Sequence, residues 1–438
     1  MKLHPRLLGA GAAVILAIAL PAGKAAAEVP TGASADAVVR WNQTLLRIIR
    51  TPGAQPATIH STRSFAALHV AMYDAIEAID AHRATYTPHL RFRPSASQSA
   101  AAEVAAHDVL ANLYPAMKDP LDAQETQELA SLPTGRRKDR GIAVGRKAAA
   151  AVLARRANDG SGVTPPVYMS TGAPGAFDPA PAMAVFTHWG AVAPWVLDRS
   201  AQFRPAPPPA LTSSAYAKAI NEVESLGRAD SVTRTEDQTQ IARFWAAPIQ
   251  NYWNEIAQTA ALAHHRGLEA DAWTFAALNL SLADSAIAFY DAKYAYRLWR
   301  PISAIRQADR DANDATVADP SWTPLANTPA DQSYPGAHSV VSGAAEEVLR
   351  AAYGEHFGFA VTSEALPGVT RSFPSFAAAE DEAGLSRIYA GVHSRLDDLP
   401  GRRLGTDVAR FVLRHALGPV DPDPFRPVRR HHRAPRPR

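Results

Sequence analysis

Apolar residues recur at spacings of three and four along most of this chain, and β-branched alternation is scarce. That period belongs to helices with one buried face, and it rules out a sheet as the main framework. The pattern predicts helices over 36–50, 61–79, 98–113, 139–157, 214–227, 233–246, 252–265, 269–299, 338–353, 375–391 and 402–417. Proline-rich runs interrupt it, above all "DGSGVTPPVYMSTGAPGAFDPAPA" at 159–182 and "RPAPPPALTSS" at 204–214. The expectation is an all-α helical bundle with long Pro-rich connections. An N-terminal helical half covers 28–158, an irregular connection 159–213 and a C-terminal helical half 214–418, the two halves being able to pack as one domain.

With 438 residues, 47% hydrophobic and 20% charged, the chain can bury one large core or two ordinary ones. Its opening has a basic start at Lys2 and Arg6, a 14-residue apolar run from Leu7 to Leu20, and Ala25-Ala26-Ala27 before Glu28. The run is short for a bilayer core and the small residues suit a processing site, so residues 1–27 read as a signal peptide cleaved near Ala27. The mature chain is expected to be secreted or periplasmic, and no later segment reads as a membrane span. There is no cysteine, which excludes thiol catalysis and Cys-ligated zinc and leaves stability to packing and hydrogen bonds. The formal charge of +3 owes much to "RPVRRHHRAPRPR", so residues 419–438 read as a solvated basic tail. Neither charge nor motif indicates a nucleic-acid partner.

The first half offers little chemistry. His69 and Asp74 fall within an apolar helix, where their ordinary fate is to hydrogen-bond inside the core. His264 and His265 near a helix end, without a third ligand, suit carbonyl capping or solvent better than metal.

Three stretches of the second half belong together. In "KYAYRLWRP", Lys293 and Arg300 are seven apart, so a continuous helix points both to one side, and Pro301 turns the chain away at the guanidinium. In "SYPGAHSVVSGAAEEVL", the break at Pro335-Gly336-Ala337 lets His338 open a helix whose first amides point outward, an anion site with a proton carrier at its rim. In "LSRIYAGVHSRLDDLPG", Ser386 and Arg387 precede His393 and Asp397, and Gly391 allows close approach. A His and an Asp four apart on one helix share a face, so Asp397 can hold one ring nitrogen of His393 and leave the other free. Three cations, a helix N-terminus and two imidazoles suit a tetrahedral or trigonal-bipyramidal oxyanion. They would repel a divalent metal, which argues against a metallohydrolase built on His338, His393 and Asp397.

These nine positions, Lys293, Arg300, Pro301, Pro335, His338, Ser386, Arg387, His393 and Asp397, make the chain resemble the superfamily that joins vanadium-dependent haloperoxidases with type 2 phosphatidic-acid and bacterial acid phosphatases. Its signature is Lys, six residues, Arg-Pro; then Pro-Ser-Gly-His; then Ser-Arg, five residues, His, three residues, Asp. The departure is Gly336-Ala337 in place of Ser-Gly, which removes a hydroxyl that the family sets against an equatorial oxygen of the anion. The resemblance implies that Lys293, Arg300 and Arg387 neutralise the oxyanion, with Ser386, Gly336 and Ala337 beside it. His338 is then the acid–base residue and His393 the residue that attaches to vanadium of vanadate or to phosphorus.

The flanks "WRPISAIR" and "SRIYAGVHSRLD" and the long helical first half are more similar to the haloperoxidase branch. The resemblance therefore implies a vanadate cofactor, with hydrogen peroxide and a halide as small-molecule substrates. An acid phosphatase that takes phosphate esters through a phosphohistidine stays open as the alternative. So does a helical oxyanion-binding protein without turnover.

Overall fold

The computed structural model describes residues 35–90 and 95–418; the expected signal peptide at 1–27 and the basic tail at 419–438 lie outside them. The first half supplies α1 (Ala37–Arg50), α2 (Ser61–Asp80), α3 (Gln98–Leu113), α4 (Lys118–Ala130) and α5 (Arg136–Arg156). After the long connection come α6 (Ser214–Leu226), α7 (Glu236–Phe244), α8 (Ile249–His264), α9 (Leu268–Tyr296) and α10 (Pro301–Arg306). The chain then forms α11 (Ala337–Tyr353), α12 (Phe376–Tyr389) and α13 (Arg395–His415). The strands among the described residues are β1 (Phe359–Thr362) and β2 (Thr370–Phe373), an antiparallel hairpin that pairs Phe359 with Phe373.

The bundle is organised around α9, which packs against α2 from the first half and against α11 and α13 from the second. A helix surrounded on every side has no polar face, and α9 is accordingly long and apolar enough to meet the length and composition of a membrane span. That corrects the reading that no later segment could do so. Its sides are buried in protein, and several of its polar side chains are engaged there. Asn279 exchanges amide hydrogen bonds with Asn254, and Asp284 accepts the backbone N–H groups of Trp195, Val196 and Leu197 at 2.6, 2.8 and 2.9 Å.

Those three bonds fasten the Pro-rich connection to the central helix. Asp159 holds its start, accepting from Arg63 and Arg156. Between these anchors the connection swings outward, and Met169 and Met183 are 75% and 84% exposed. The core residues His69 and Asp74 behave as buried polar groups should. His69 bonds the Asn42 side chain at 2.8 Å, and Asp74 accepts the amides of Tyr86 and Thr87. His264 ends α8 packed on Tyr353 and Phe357, and His265 is its left-handed cap.

One close helix crossing is that of α11 and α13. A Cβ built at Gly405 of α13 would lie 1.9 Å from the carbonyl oxygen of Val340 on α11, so the two backbones touch where any other residue would hold them apart. This contact sets the distance between the two helix N-termini that carry His338 and Asp397.

Candidate active site

A cavity of about 430 Å³ opens where the starts of α11 and α13 meet the end of α9. Its floor is polar: Arg300, Asp331, Ala337, His338, Arg387 and His393. Its walls are mostly apolar and come partly from the first half and the connection, through Ile59, Val185, Phe186 and Tyr290, with His60 and Gln250 among them.

Lys293 and Arg300 do reach one place, though not along one helix. The last residue of α9 is Tyr296, Arg297 is left-handed at φ 54°, and Arg300 is the extended N-cap of α10, whose first residue is Pro301. The fixed φ of proline suits a helix start, so the chain turns and begins again. Convergence is achieved through Asp331. Its carboxylate pairs with the Arg300 guanidinium and lies 3.4 Å from the Lys293 Nζ, while its backbone carbonyl accepts from Arg300 Nε at 2.7 Å. Lys293 is fully buried and also donates to the carbonyls of Gln332 and Ser333. Burial pulls its pKa down to about 8 against the opposing effect of Asp331. Asp331 is 5% exposed; burial favours its neutral form, but Lys293 and Arg300 override this and hold its pKa below the usual value.

His393 and Asp397 do not share a helix, which corrects the expectation drawn from their spacing. Gly391, at φ 77° and wedged against Gly227, ends the turn after α12, and α13 begins only at Arg395. Ser394 is the N-cap and Asp397 the third helical residue, forming a capping box, and His393 sits just outside it. The pair forms nonetheless: His393 Nδ1 lies 3.3 Å from Asp397 Oδ2, which also accepts from the Ser394 amide at 2.7 Å and the Ser333 hydroxyl at 2.8 Å. On the other side, Arg300 Nη1 donates to His393 Nε2 at 2.9 Å. Because a guanidinium can only donate, Nε2 carries the lone pair and Nδ1 the proton. Burial, then Arg300, Lys293 and Arg387, keep the ring well below its ordinary pKa, hence neutral.

His338 has the opposite arrangement. Its Nε2 lies 2.9 Å from the Trp245 carbonyl, an acceptor, so the proton is there and Nδ1 is the free base. Burial and Arg387 lower its pKa well below the ordinary value.

Arg387 lines the cavity, and its buried Nε and Nη1 have no partner among the described residues. Burial, then Arg300, pull its pKa down to about 10. Two orphaned guanidinium N–H groups in a buried site are costly unless an acceptor meets them. The first amides of α11 point the same way. Gly336 N donates to Asp397 O at 3.0 Å and Val340 N to Gly336 O, so Ala337, His338 and Ser339 precede the intrahelical ladder.

Two residues expected at the anion are elsewhere. The Ser386 hydroxyl is fully buried and donates to the Ala383 carbonyl at 2.6 Å, the local alternative open to a helical serine. The Gly336 amide is taken by Asp397, and a Cβ on Gly336 would lie 3.4 Å from Asp397 O and 3.5 Å from Ser339 Oγ. Its φ of −72° is ordinary, so glycine is not required by the backbone there. Asp331, Ser333 and His60 were not anticipated. His60 caps α2, its ring 5.3 Å from that of Phe186 and 6.0 Å from that of Tyr290, and burial pulls its pKa down to about 4. No periodicity marks an acid in "PADQSYPG", because what gives Asp331 meaning is two cations from other elements.

The set of donors fits a tetrahedral oxyanion: unpartnered N–H groups of Arg387, free amides at a helix start, and one lone pair on an oriented imidazole.

Comparison with known proteins bears on the family and the fold. The family profile of the VCPO second helical-bundle domain matches residues 273–422, the stretch that holds all of these groups. The vanadium chloroperoxidase of Curvularia inaequalis is 26% identical over 268 residues, which cover 45% of this chain and 43% of that protein. The chain thus matches less than half the length of that relative. A solved bacterial vanadium-dependent iodoperoxidase superposes with a TM-score of 0.74 at 27% identity, over 88% of this chain and 97% of that one. A bacterial vanadium-dependent chloroperoxidase in its holo form shares the fold, with a TM-score of 0.68 at 16% identity, over 87% of this chain and 98% of that one.

Proposed function

The chain belongs to the vanadium haloperoxidase superfamily, and from that premise we propose that it is an exported enzyme that binds vanadate and uses hydrogen peroxide to oxidise a halide. The observation that carries this reading is Arg387, whose buried, unpartnered N–H groups face the same cavity as the neutral, Asp397-held ring of His393. Vanadate, when bound, supplies the oxidation of halide by peroxide; the protein supplies charge, orientation and protons.

His393 offers Nε2 as the attachment point, and Asp397 fixes the ring by accepting from Nδ1. Since Arg300 already donates to Nε2, its guanidinium would have to release that bond for the ring to hold the group, leaving its N–H free to help bind the anion. Lys293, Arg300 and Arg387 balance the negative charge, and the Ala337 amide can donate to it. His338, free at Nδ1, takes up and returns a proton at the rim of the cavity. The apolar walls keep water sparse around these groups, which strengthens each interaction.

The test is titration of vanadate-free protein with vanadate, with bromide oxidation and phosphomonoester hydrolysis assayed side by side. Halide oxidation that rises with vanadate and is inhibited by phosphate is expected. Hydrolysis without halide oxidation would move the chain to the phosphatase branch, and no response of either activity would leave only anion binding. Export belongs to the same proposal, and N-terminal sequencing of the mature protein should find its start near Glu28.

A further inference from the structure

Asp331 is the one acidic residue among those lining the cavity, and it sits on the cationic side. Both of its carboxylate oxygens face cations, one pairing with Arg300 and the other 3.4 Å from Lys293 Nζ. Of the three cations assembled there, two therefore already share a fixed anion, and only Arg387 is left with unpartnered N–H groups. Asp397 is the second carboxylate buried close to these three cations.

We propose that Asp331 is a charge-selecting residue: it matches the site to singly charged tetrahedral oxyanions and penalises doubly charged ones of the same shape. The physical reason is Coulombic. Every additional negative charge on the anion interacts with Asp331 at short range in a buried site, where such a repulsion is screened far less than in water. Removing the carboxylate's charge leaves the three cations with one more positive charge to be balanced, and a dianion gains more from that than a monoanion. Asp331 also aims Arg300, through its backbone carbonyl and one carboxylate oxygen, and an asparagine can keep both of these acceptors. This inference rests on the oxyanion reading of the site and is independent of whether the bound anion does peroxidase chemistry.

Perrhenate and tungstate provide the probe, being isoelectronic tetrahedral oxyanions of nearly equal size that carry one and two negative charges at neutral pH. Calorimetric titration of the full chain with each anion should give affinities within about tenfold of one another for the wild type. In Asp331→Asn, tungstate should gain at least about tenfold more than perrhenate, since tenfold corresponds to only about 1.4 kcal/mol and the interaction of buried charges exceeds that. Asp331→Ala should show the same differential gain with weaker binding of both, because Arg300 loses its side-chain acceptor. Equal changes for both anions would overturn charge selection and leave Asp331 a purely structural partner of Arg300. A strong wild-type preference for tungstate would overturn it too, without recourse to any variant. Failure of both anions to bind the wild type would instead overturn the oxyanion reading itself.

Discussion

Of the histidines lining the cavity, His393 and His338 differ in which nitrogen is free, and this sets what each loses on truncation. His393 presents Nε2 beside Arg300, and His338 presents Nδ1 with its Nε2 proton tied to Trp245. His393→Ala should abolish attachment of vanadate, read by vanadium NMR of the loaded protein. His338→Ala should leave the anion bound and slow turnover by about 100-fold or more, as for loss of a general acid–base group. Equal loss of binding in both would reverse the assignment. Gly336 is the next residue to examine, because there this chain leaves the family pattern. Its ordinary φ and the 3.4 Å clearance to Asp397 O admit a side chain, so Gly336→Ser and Gly336→Ala should both fold. A hydroxyl donated to a charged oxygen is worth about 1.5–3 kcal/mol, so vanadate should bind the serine variant about tenfold or more tighter than the alanine variant. Equal affinities would mean that the new hydroxyl stays with Asp397 or Ser339 and does not reach the anion.

Between elements, the controlling contact is the crossing of α11 and α13. Gly405→Ala drives a methyl into the Val340 carbonyl, and the helices must separate. Overpacking at a backbone contact should cost about 3 kcal/mol in urea unfolding, whereas Gly162→Ala, with open space around it, should stay within about 0.5 kcal/mol. Anion affinity should fall with the first variant, since the same crossing spaces His338 from Asp397. Most of the long helices were legible in the sequence because they bury a periodic apolar face, and α9 because it is a long apolar run; the predicted 61–79 is α2, and 338–353 is α11 to within a residue. α4 was not, because it buries only Leu121 and so leaves no stripe to read. Nor were the six-residue α10 and the four-residue strands, which are too short for a period. The start of α13 was placed late, at 402, although "SRLD" from Ser394 to Asp397 carries the capping-box spacing that marks it. Lys293, Arg300, Arg387 and the two histidines were found because their spacing survives in the chain. Asp331 was missed because its importance arises only from residues brought to it by the fold.

For the whole molecule, α2 of the first half and α9 of the second share one buried interface, and titratable groups are enclosed in it. His69 is 1% exposed, and burial pulls its pKa down to about 3 from 6.5. Between those values the unfolded chain holds a proton on this ring that the folded one does not, so folding stability falls as pH falls. The contribution is intact above pH 6.5 and is lost on the way down towards the folded pKa. Relative to His69→Gln, the wild type should therefore lose about 1.4 kcal/mol per pH unit on acidification below that point, measured by urea unfolding. A constant difference between the two proteins would mean that the ring does not stay neutral in the fold. Under the proposed function the Pro-rich connection bears on a different property, the working lifetime of a catalyst whose product would attack sulfur. The chain has no thiol to lose, and among the described residues its softest exposed atoms are the thioethers of Met169 and Met183, the latter two residues from Val185 in the cavity wall. A hypohalous product leaving that mouth would transfer its oxygen to Met183, giving the sulfoxide and returning halide, while Met72, buried in α2, is shielded. Peptide mass spectrometry during turnover should find sulfoxide at Met183 and Met169 well before Met72, and inactivation should lag behind it, because the connection can be scarred without disturbing the bundle that it spans.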